Sequence, residues 1–497
     1  MTLSAATDTL RPRALRDLPS PSGLPILGHL TRLDPLRAHT QFEQWARELG
    51  TPYRIHMAGM PIVIWDDVEV FQQILRERPQ RWRRGGRIRP VAREMGFDGV
   101  FAAEGDDWAP QRRLVMQALN PAYLRGFFPT LQAITARLHR RWLAAADEGR
   151  VVEMTEDLMR YTVDVTSALA FGEDPNTLDN EGDCIQRNLA AVFPMFMKRV
   201  MTPISHWRWF KLPADLRLDR DLAAVQAYIA ALIARTRKRM RADGADAPRN
   251  LLESFLQQRD APGSAITDDM VSANVLTLLL AGEDTTAHSL AWTLPYLSAE
   301  PAWQDKLHNE ACAALGDDAV CPGAQALRGL DLCEAAVTEA QRLRPVVAIQ
   351  SFEALQDTVI GGVAMPRDVK IFFINRPALM DERHFHEPRR YDPERWLRGR
   401  EAQHGAHEPR AFLQFGAGPR VCPGRHLAGV EMRLVMSMLM REFEVELAIE
   451  GARIEEISAF TVAPSRMPLR LRRRTRRVRP TLAVAVPRAG CPHHPAS

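Results

Sequence analysis

The stretch Phe415-Gly416-Ala417-Gly418-Pro419-Arg420-Val421-Cys422-Pro423-Gly424 decides how the chain is read. Three glycines and two prolines in ten residues set an unusual loop. Glycine permits positive φ and lets a backbone approach a flat ligand closely. Pro423 suits the first turn of a helix, where its missing N–H is no loss. The apolar run behind it predicts a helix from about Pro423 through Glu431 to Met440. A cysteine at such an N-terminus faces unpaired N–H groups and the positive end of the dipole, and both favour thiolate. Arg420 adds a cation nearby.

A lone thiolate in a glycine loop is not a zinc pattern, which needs several Cys or His at short spacing. As the single strong protein ligand it suits haem iron. The alternative for any one cysteine is a buried, inert thiol. In full, the ten residues resemble the haem loop of the cytochrome P-450 superfamily of haem-thiolate monooxygenases, Phe-x-x-Gly-x-Arg-x-Cys-x-Gly. Phe415, Gly418, Arg420, Cys422 and Gly424 fill its fixed positions. The resemblance implies haem b (iron protoporphyrin IX) ligated by Cys422 and bordered by Phe415, Gly416, Arg420 and Gly424. It also implies a mainly α fold with a smaller β-rich part, the haem lying between a long central helix and the cysteine loop.

The chain has 497 residues, 46% hydrophobic and 25% charged, an ordinary globular balance. A net charge of +4 gives no reason to expect nucleic acid as a partner. Six cysteines without framework spacing point to a reducing compartment. No run reaches the ~18 apolar residues of a membrane span, and Met1 to Asp17 lack the apolar centre of a signal peptide. A soluble, cytoplasmic, monomeric protein is expected. The expected organisation is a flexible tail over 1–18, the haem domain over 19–472 and a second tail over 473–497. In that second tail Cys491, His493 and His494 have metal-like spacing but lack a fourth ligand. Arg470 to Arg479, rich in arginine, reads as a last strand with a solvated end.

Other stretches carry further expectations. Gln41 to Glu48 predicts a helix, and Tyr53–Met57 and Pro61–Trp65 predict strands. Asp106 or Asp107 would cap a helix opening at Trp108, placing Trp108 and Arg112 on one face. Alone that pair is equally a surface cation–aromatic contact; the resemblance implies that both meet a haem propionate. Val192 to Leu212 crowds aromatics and methionines between prolines that should break any helix, and the resemblance makes it a lid over the substrate channel. Ala265 to Ala299 predicts one long helix, capped by Thr267 with Asp268 and Asp269 in its first turn. Small Ala281 and Gly282 would leave room for a ligand there. Asp284 and Thr285 are then a buried acid and alcohol in need of partners, or a threonine bonded to its own helix. Ala281-Gly282-Glu283-Asp284-Thr285-Thr286 matches the superfamily's oxygen-activation motif, which implies proton delivery by Asp284 and Thr285. Glu339 and Arg342 are i,i+3 neighbours on a helix ended by Pro345. The resemblance implies that Arg395 joins them in a structural triad. Val359 to Pro366 and Val369 to Asn375 predict two strands.

The activity implied is insertion of one oxygen atom of O2 into a small apolar organic substrate, by hydroxylation or epoxidation. Electrons would come from NAD(P)H through a separate ferredoxin-type or flavin donor, since too little chain follows Arg472 for a reductase domain. Arg112, Arg113, Arg425 and Arg433 would offer that donor a positive patch. Val346, Val347, Ile349, Phe460 and Val462 are the candidate substrate-pocket residues. The alternatives are a peroxide-using haem-thiolate enzyme, which tends to lose the acid–alcohol pair retained here, and a haem-based sensor or carrier.

Overall fold

Thr267 starts the central helix as expected: its hydroxyl accepts the Met270 N–H at 3.2 Å, and Asp268 and Asp269 follow at the positive end of the dipole. In the computed structural model this helix runs over Asp268–Ala299, 32 residues, or about 48 Å at 1.5 Å per residue. It is apolar on nearly every side, as suits a helix enclosed by others. The structure describes residues 11–119, 121–180, 184–202, 204–243, 248–397, 399, 405, 407–448 and 454–474. Cys491, His493 and His494, and the arginines after Arg474, lie outside them.

Six helices build the site: α1 (Trp108–Ala118), α2 (Met154–Phe171), α3 (Cys184–Met201), the central α4, α5 (Asp331–Leu343) and α6 (Arg425–Glu442). The main sheet contains β1 (Tyr53–Met57), β2 (Met60–Trp65), β3 (Trp82–Arg84), β4 (Ile349–Ala354) and β5 (Lys370–Ile374) in the order β1-β2-β5-β4-β3. Only β2 and β5 pair in parallel, with Ile62 opposite Lys370. Side chains alternate between its faces. Val63, Trp65 and Phe373 join one apolar cluster; Ile62, Ile64 and Phe372 join another. A terminal hairpin, β6 (Glu456–Ser458) and β7 (Val462–Pro464), reaches back to α4.

The fold departs from the sequence reading in four places. Val359 to Pro366 is not one strand but a hairpin, Thr358–Ile360 and Val363–Met365, turning at Gly361 and Gly362 with φ of 51° and 73°. A Cβ on Gly361 would lie 2.4 Å from the Trp65 ring, so the turn needs glycine for space as well as for φ. Pro194 lies inside α3 without ending it; burial of Phe193 and Phe196 on that helix outweighs one lost backbone bond. Residues 11–18 are not wholly a tail: Arg13 exchanges backbone hydrogen bonds with Gly362 and Ala364, both at 2.9 Å, and Leu18 is buried. Gly282 accommodates α2 rather than a ligand, because a Cβ there would meet the Thr166 hydroxyl at 2.5 Å.

The core also encloses carboxyls. Glu431 on α6 is fully buried, one oxygen has no hydrogen-bond partner, and burial pushes its pKa from 4.5 up to about 8. The folded protein therefore holds a proton there that the unfolded chain has released near neutrality. Stability from this group is present below about pH 4.5 and is lost as pH rises towards 8. Glu431→Gln cannot ionise. Its melting temperature should exceed that of the wild type by a margin that widens between pH 5 and pH 8, the full effect being on the order of a few kcal/mol. A pH-independent difference in parallel melting curves would show that Glu431 is not neutral in the fold.

Candidate functional site

The cysteine loop is closed by its own backbone. The Cys422 N–H donates to the Phe415 carbonyl at 2.8 Å, and Gly418, at φ 65°, turns where a Cβ would come within 2.6 Å of the Leu75 carbonyl. Helix α6 begins at Arg425 with Gly424 as its N-cap, so Pro423 precedes the helix instead of opening it. Cys422 keeps an accessible surface within a dense surround. That surround pushes the thiol pKa up, against the Gly424 N–H, the Arg112 charge and the Arg425 N–H, which all favour thiolate. The dipole expectation is thus corrected: without a metal, desolvation outweighs the helix terminus. The Arg425 guanidinium lies 5.8 Å from the centre of the Phe415 ring, and Gly416 turns at φ 67°.

Arg420 reaches away from the loop to Glu104, at 2.6 Å, and to the Ala103 carbonyl, at 2.8 Å, with its guanidinium 4.4 Å over the Trp108 ring. The other Glu104 oxygen accepts from Arg78 Nη2 and from the Arg84 N–H, both at 3.0 Å. The Arg84 guanidinium rests 4.1 Å over Phe101, and Arg112 lies close enough to Cys422 for their charges to interact. Burial lowers the pKa of all four arginines, Arg84 to about 9 and Arg420 to about 10. The buried Nε atoms of Arg78, Arg84 and Arg420 have no partner. Sequence reading found Trp108, Arg112 and Arg420 and missed Arg78, Arg84 and Glu104; the one signal was the basic run after Arg78. Asp107 does not cap α1 with its side chain; it bonds Arg89 instead.

On α4 the Thr285 hydroxyl donates to the Ala281 carbonyl at 3.0 Å, the helix-bonded alternative of the sequence reading. The Thr285 carbonyl accepts from Ser289 at 2.6 Å, and Ser289 accepts from Gln341 of α5 at 2.7 Å. Beside Thr285, burial pushes Asp284 up to about 6. One turn on, His288 Nδ1 is 2.8 Å from the Thr461 hydroxyl, and burial pushes this imidazole down to about 4. Trp292 Nε1 donates to the Val462 carbonyl, and the Val462 N–H to Val346, each at 2.8 Å. These bonds bring the terminal hairpin, the segment after α5 and α4 together. Phe460 at the hairpin tip stacks on Phe193 of α3, 4.0 Å between centres, and meets Phe101 edge-on at 5.4 Å. Val346 and Val462 are buried in the core, whereas Val347 and Ile349 are half-buried. His288 and Phe101 escaped the sequence reading, although His288 follows Asp284 by one helical turn.

Below this region the Glu339 carboxylate receives Arg342 Nε and Nη2 at 2.9 and 2.8 Å, Arg395 Nε at 3.0 Å, Trp396 Nε1 at 2.9 Å and the Asp392 N–H at 3.0 Å. Arg342 also donates to the carbonyls of Leu379 and Pro388, at 2.8 and 2.7 Å. Glu339, Arg342 and Arg395 are 2% exposed or less, so their charges meet each other rather than water.

A family model described as cytochrome P450 (here written P-450) matches residues 18–468. The chain belongs to the cytochrome P-450 family. It is 27% identical over 485 residues to the mitochondrial 25-hydroxyvitamin D-1 alpha hydroxylase of Mus musculus, covering 91% of this chain and 92% of that protein. It is 27% identical over 435 residues to the cyclooctat-9-en-7-ol 5-monooxygenase of Streptomyces melanosporofaciens, covering 84% and 87%. Among solved structures, the cytochrome P-450DA heme domain aligns with a TM-score of 0.81 at 24% identity, over 94% of this chain and 99% of that one, which supports the fold. As a cytochrome P-450 the protein is an oxidoreductase of the haem-thiolate monooxygenase class, and the family implies haem b and O2. No helix among the described residues is long and apolar enough to cross a membrane.

The residues present fit haem. Arg78, Arg84 and Arg420, each with an enclosed Nε that has no acceptor, and the half-buried Arg112 stand against the carboxylate of Glu104, an excess of cations that a flat ligand carrying two carboxylates would satisfy. The backbone N–H groups at the Cys422 sulfur suit a metal-bound thiolate. The Glu339 network has a direct test. Glu339→Ala would leave two buried cations and an indole N–H short of an acceptor, at about 3–5 kcal/mol. Soluble yield should fall and the remaining protein should melt at lower temperature. Normal melting of this variant would show the network to be dispensable.

Proposed function

We propose that this cytochrome P-450 inserts one oxygen atom of O2 into an apolar organic substrate, by hydroxylation or epoxidation, with Cys422 as the axial thiolate. Haem b ligated in this way supplies electron density that favours O–O cleavage. In this reading Arg78, Arg84, Arg112 and Arg420, with the Trp108 N–H, would hold its carboxylates. Phe415, Gly416 and Gly424 would shape the loop around it, and Ala281 would border its other face.

The observation that carries the reading is Asp284. It is a carboxyl that burial pushes up to about 6, between a second buried carboxyl, Glu283, whose pKa burial and the Asp284 charge also raise, and the Thr285 hydroxyl. Such a group can take a proton from solvent and release it at neutral pH. This supports dioxygen over peroxide as co-substrate, because peroxide arrives already carrying its protons. Phe101, Phe193 and Phe460 would roof the substrate space, which favours an apolar molecule.

Electrons would come from NAD(P)H through a separate ferredoxin-type or flavin donor. A cleft of about 960 Å³ beside the cysteine loop is lined by Phe415, Gly416 and Arg425, with Arg125, Arg328 and Arg433 at its walls. Arg433 is held there by Glu334 and Asp331. Neither Asp284 nor Thr285 lines this cleft, so donor docking and substrate binding would use different faces. A cytoplasmic setting suits the free thiols of Cys312, Cys321, Cys333 and Cys422.

The reduced, carbon monoxide-bound protein should absorb at the position typical of thiolate-ligated haem, and Cys422→His should move the band to the histidine-type position; an unmoved band removes Cys422 from the role. Thr285→Ala should keep haem and substrate affinity while product per reductant falls several-fold and hydrogen peroxide rises. Equal coupling in the two proteins would place the proton path elsewhere. Burial pushes Asp284 up to about 6 and raises Glu283 beside it as well, so the two carboxyls titrate as a pair that loses a proton as pH rises through that region. Reductant consumption by the wild type should therefore decline as pH rises through that range, whereas Asp284→Asn should be slower and flat. A shared pH profile would exclude Asp284 as the titrating group.

A further inference from the structure

Glu104 stands out once the arginines are counted. It is the carboxylate on which the cationic group closes, and it takes both its bridging contacts through side-chain oxygens: Oε2 from Arg420 at 2.6 Å, Oε1 from Arg78 and from the Arg84 N–H at 3.0 Å. Its own carbonyl accepts from Arg89 Nη1 at 3.0 Å. It thereby joins three separated parts of the chain: the segment after the helix Val68–Glu77, the residues just before α1, and the cysteine loop. Arg84 shares the space but gives its guanidinium to the Phe101 ring, not to the acid. A ligand with two carboxylates does not need a protein carboxylate beside it; charge attraction alone would favour a neutral residue at position 104. An acid retained there subtracts one unit of positive charge from the side that faces the ligand's carboxylates, and it fixes where Arg78 and Arg420 point.

We propose that Glu104 is a positioning residue that sets the charge balance of the haem-carboxylate cradle, holding Arg78 and Arg420 in register and keeping the reduction potential of the bound haem low. This rests on the haem reading above. Ferrous haem-thiolate carries one more negative charge than ferric, so nearby positive charge favours reduction and nearby negative charge opposes it. Around a buried group such charges act through an effective dielectric far below that of water. Removing the Glu104 charge should thus stabilise the ferrous form. It should also make haemin binding more dependent on salt, since more unneutralised cations would meet the two carboxylates.

The test uses full-length, haem-replete protein. Glu104→Gln keeps the size and shape of the side chain, removes the charge and retains one of the two acceptor oxygens. Its ferric/ferrous midpoint, followed by spectroelectrochemical titration, should lie positive of the wild type, and haemin titration of its apoprotein should weaken more steeply between low and high salt. Arg84→Gln removes a cation that is not bonded to an acid, and should move the midpoint in the opposite direction. Should Glu104→Gln fail to retain haem, Glu104→Asp, which keeps the charge, should retain it with a midpoint near the wild type; equal failure of both, with Arg84→Gln leaving the midpoint unmoved, overturns the proposal. A haem-replete Glu104→Gln with an unchanged or more negative midpoint overturns it too. Wild-type protein that binds no stoichiometric haemin would instead overturn the haem reading on which it stands.

Discussion

The fold around the site depends on one buried carboxylate. Glu339 gathers two guanidinium groups, an indole N–H and a backbone N–H, from residues up to 57 positions away, into one region from which water is excluded. Each of those groups is costly to bury alone, and together they satisfy one another. The consequence is positional. Helix α5 is tied to the segment 388–396, and through it to the chain that leads into the cysteine loop. A loop made of glycines and prolines has few side-chain contacts of its own, so its position is set by neighbours such as this.

The same physics is used differently around Cys422. At Glu339 donors and acceptors match. Around Glu104 they do not: cations outnumber the acid, and several guanidinium nitrogens are enclosed without an acceptor. A matched network is structural, whereas a mismatched one stores affinity for something of opposite charge. The contrast lies in the balance of charge, several cations to one acid, because unpartnered guanidinium nitrogens also occur at arginines such as Arg137 and Arg376 that sit among carboxylates.

Much of this was legible in the sequence because it depends on local geometry. Helix α4 announced itself by a cap, an acidic first turn and a long apolar run, and the cysteine loop by its glycine and proline spacing. What was not legible depended on distant residues. Gly282 read as room for a ligand because nothing in its own segment reveals that Thr166 occupies the space. The thiol of Cys422 read as acidified by its helix terminus, since the competing desolvation comes from the whole surrounding fold. Pro194 read as a helix breaker, because the burial of Phe193 and Phe196 that keeps α3 intact is a tertiary fact. Glu104, Arg84 and Arg78 carry no signal in their own segments; only the fold brings them together.

The Phe193–Phe460 stack joins two parts of the chain that are pinned separately. The hairpin bearing Phe460 is pinned at its tip by Trp292 and Val346 and at its base by Glu456, which binds His39 at 2.8 Å and Arg376 at 2.8 and 2.6 Å. Helix α3, which bears Phe193, leads into a segment where Ile204, Trp209 and Phe210 are exposed. Parting the rings would forfeit about 0.5–1.5 kcal/mol beyond the apolar area exposed, so two segments far apart in sequence hold each other in place.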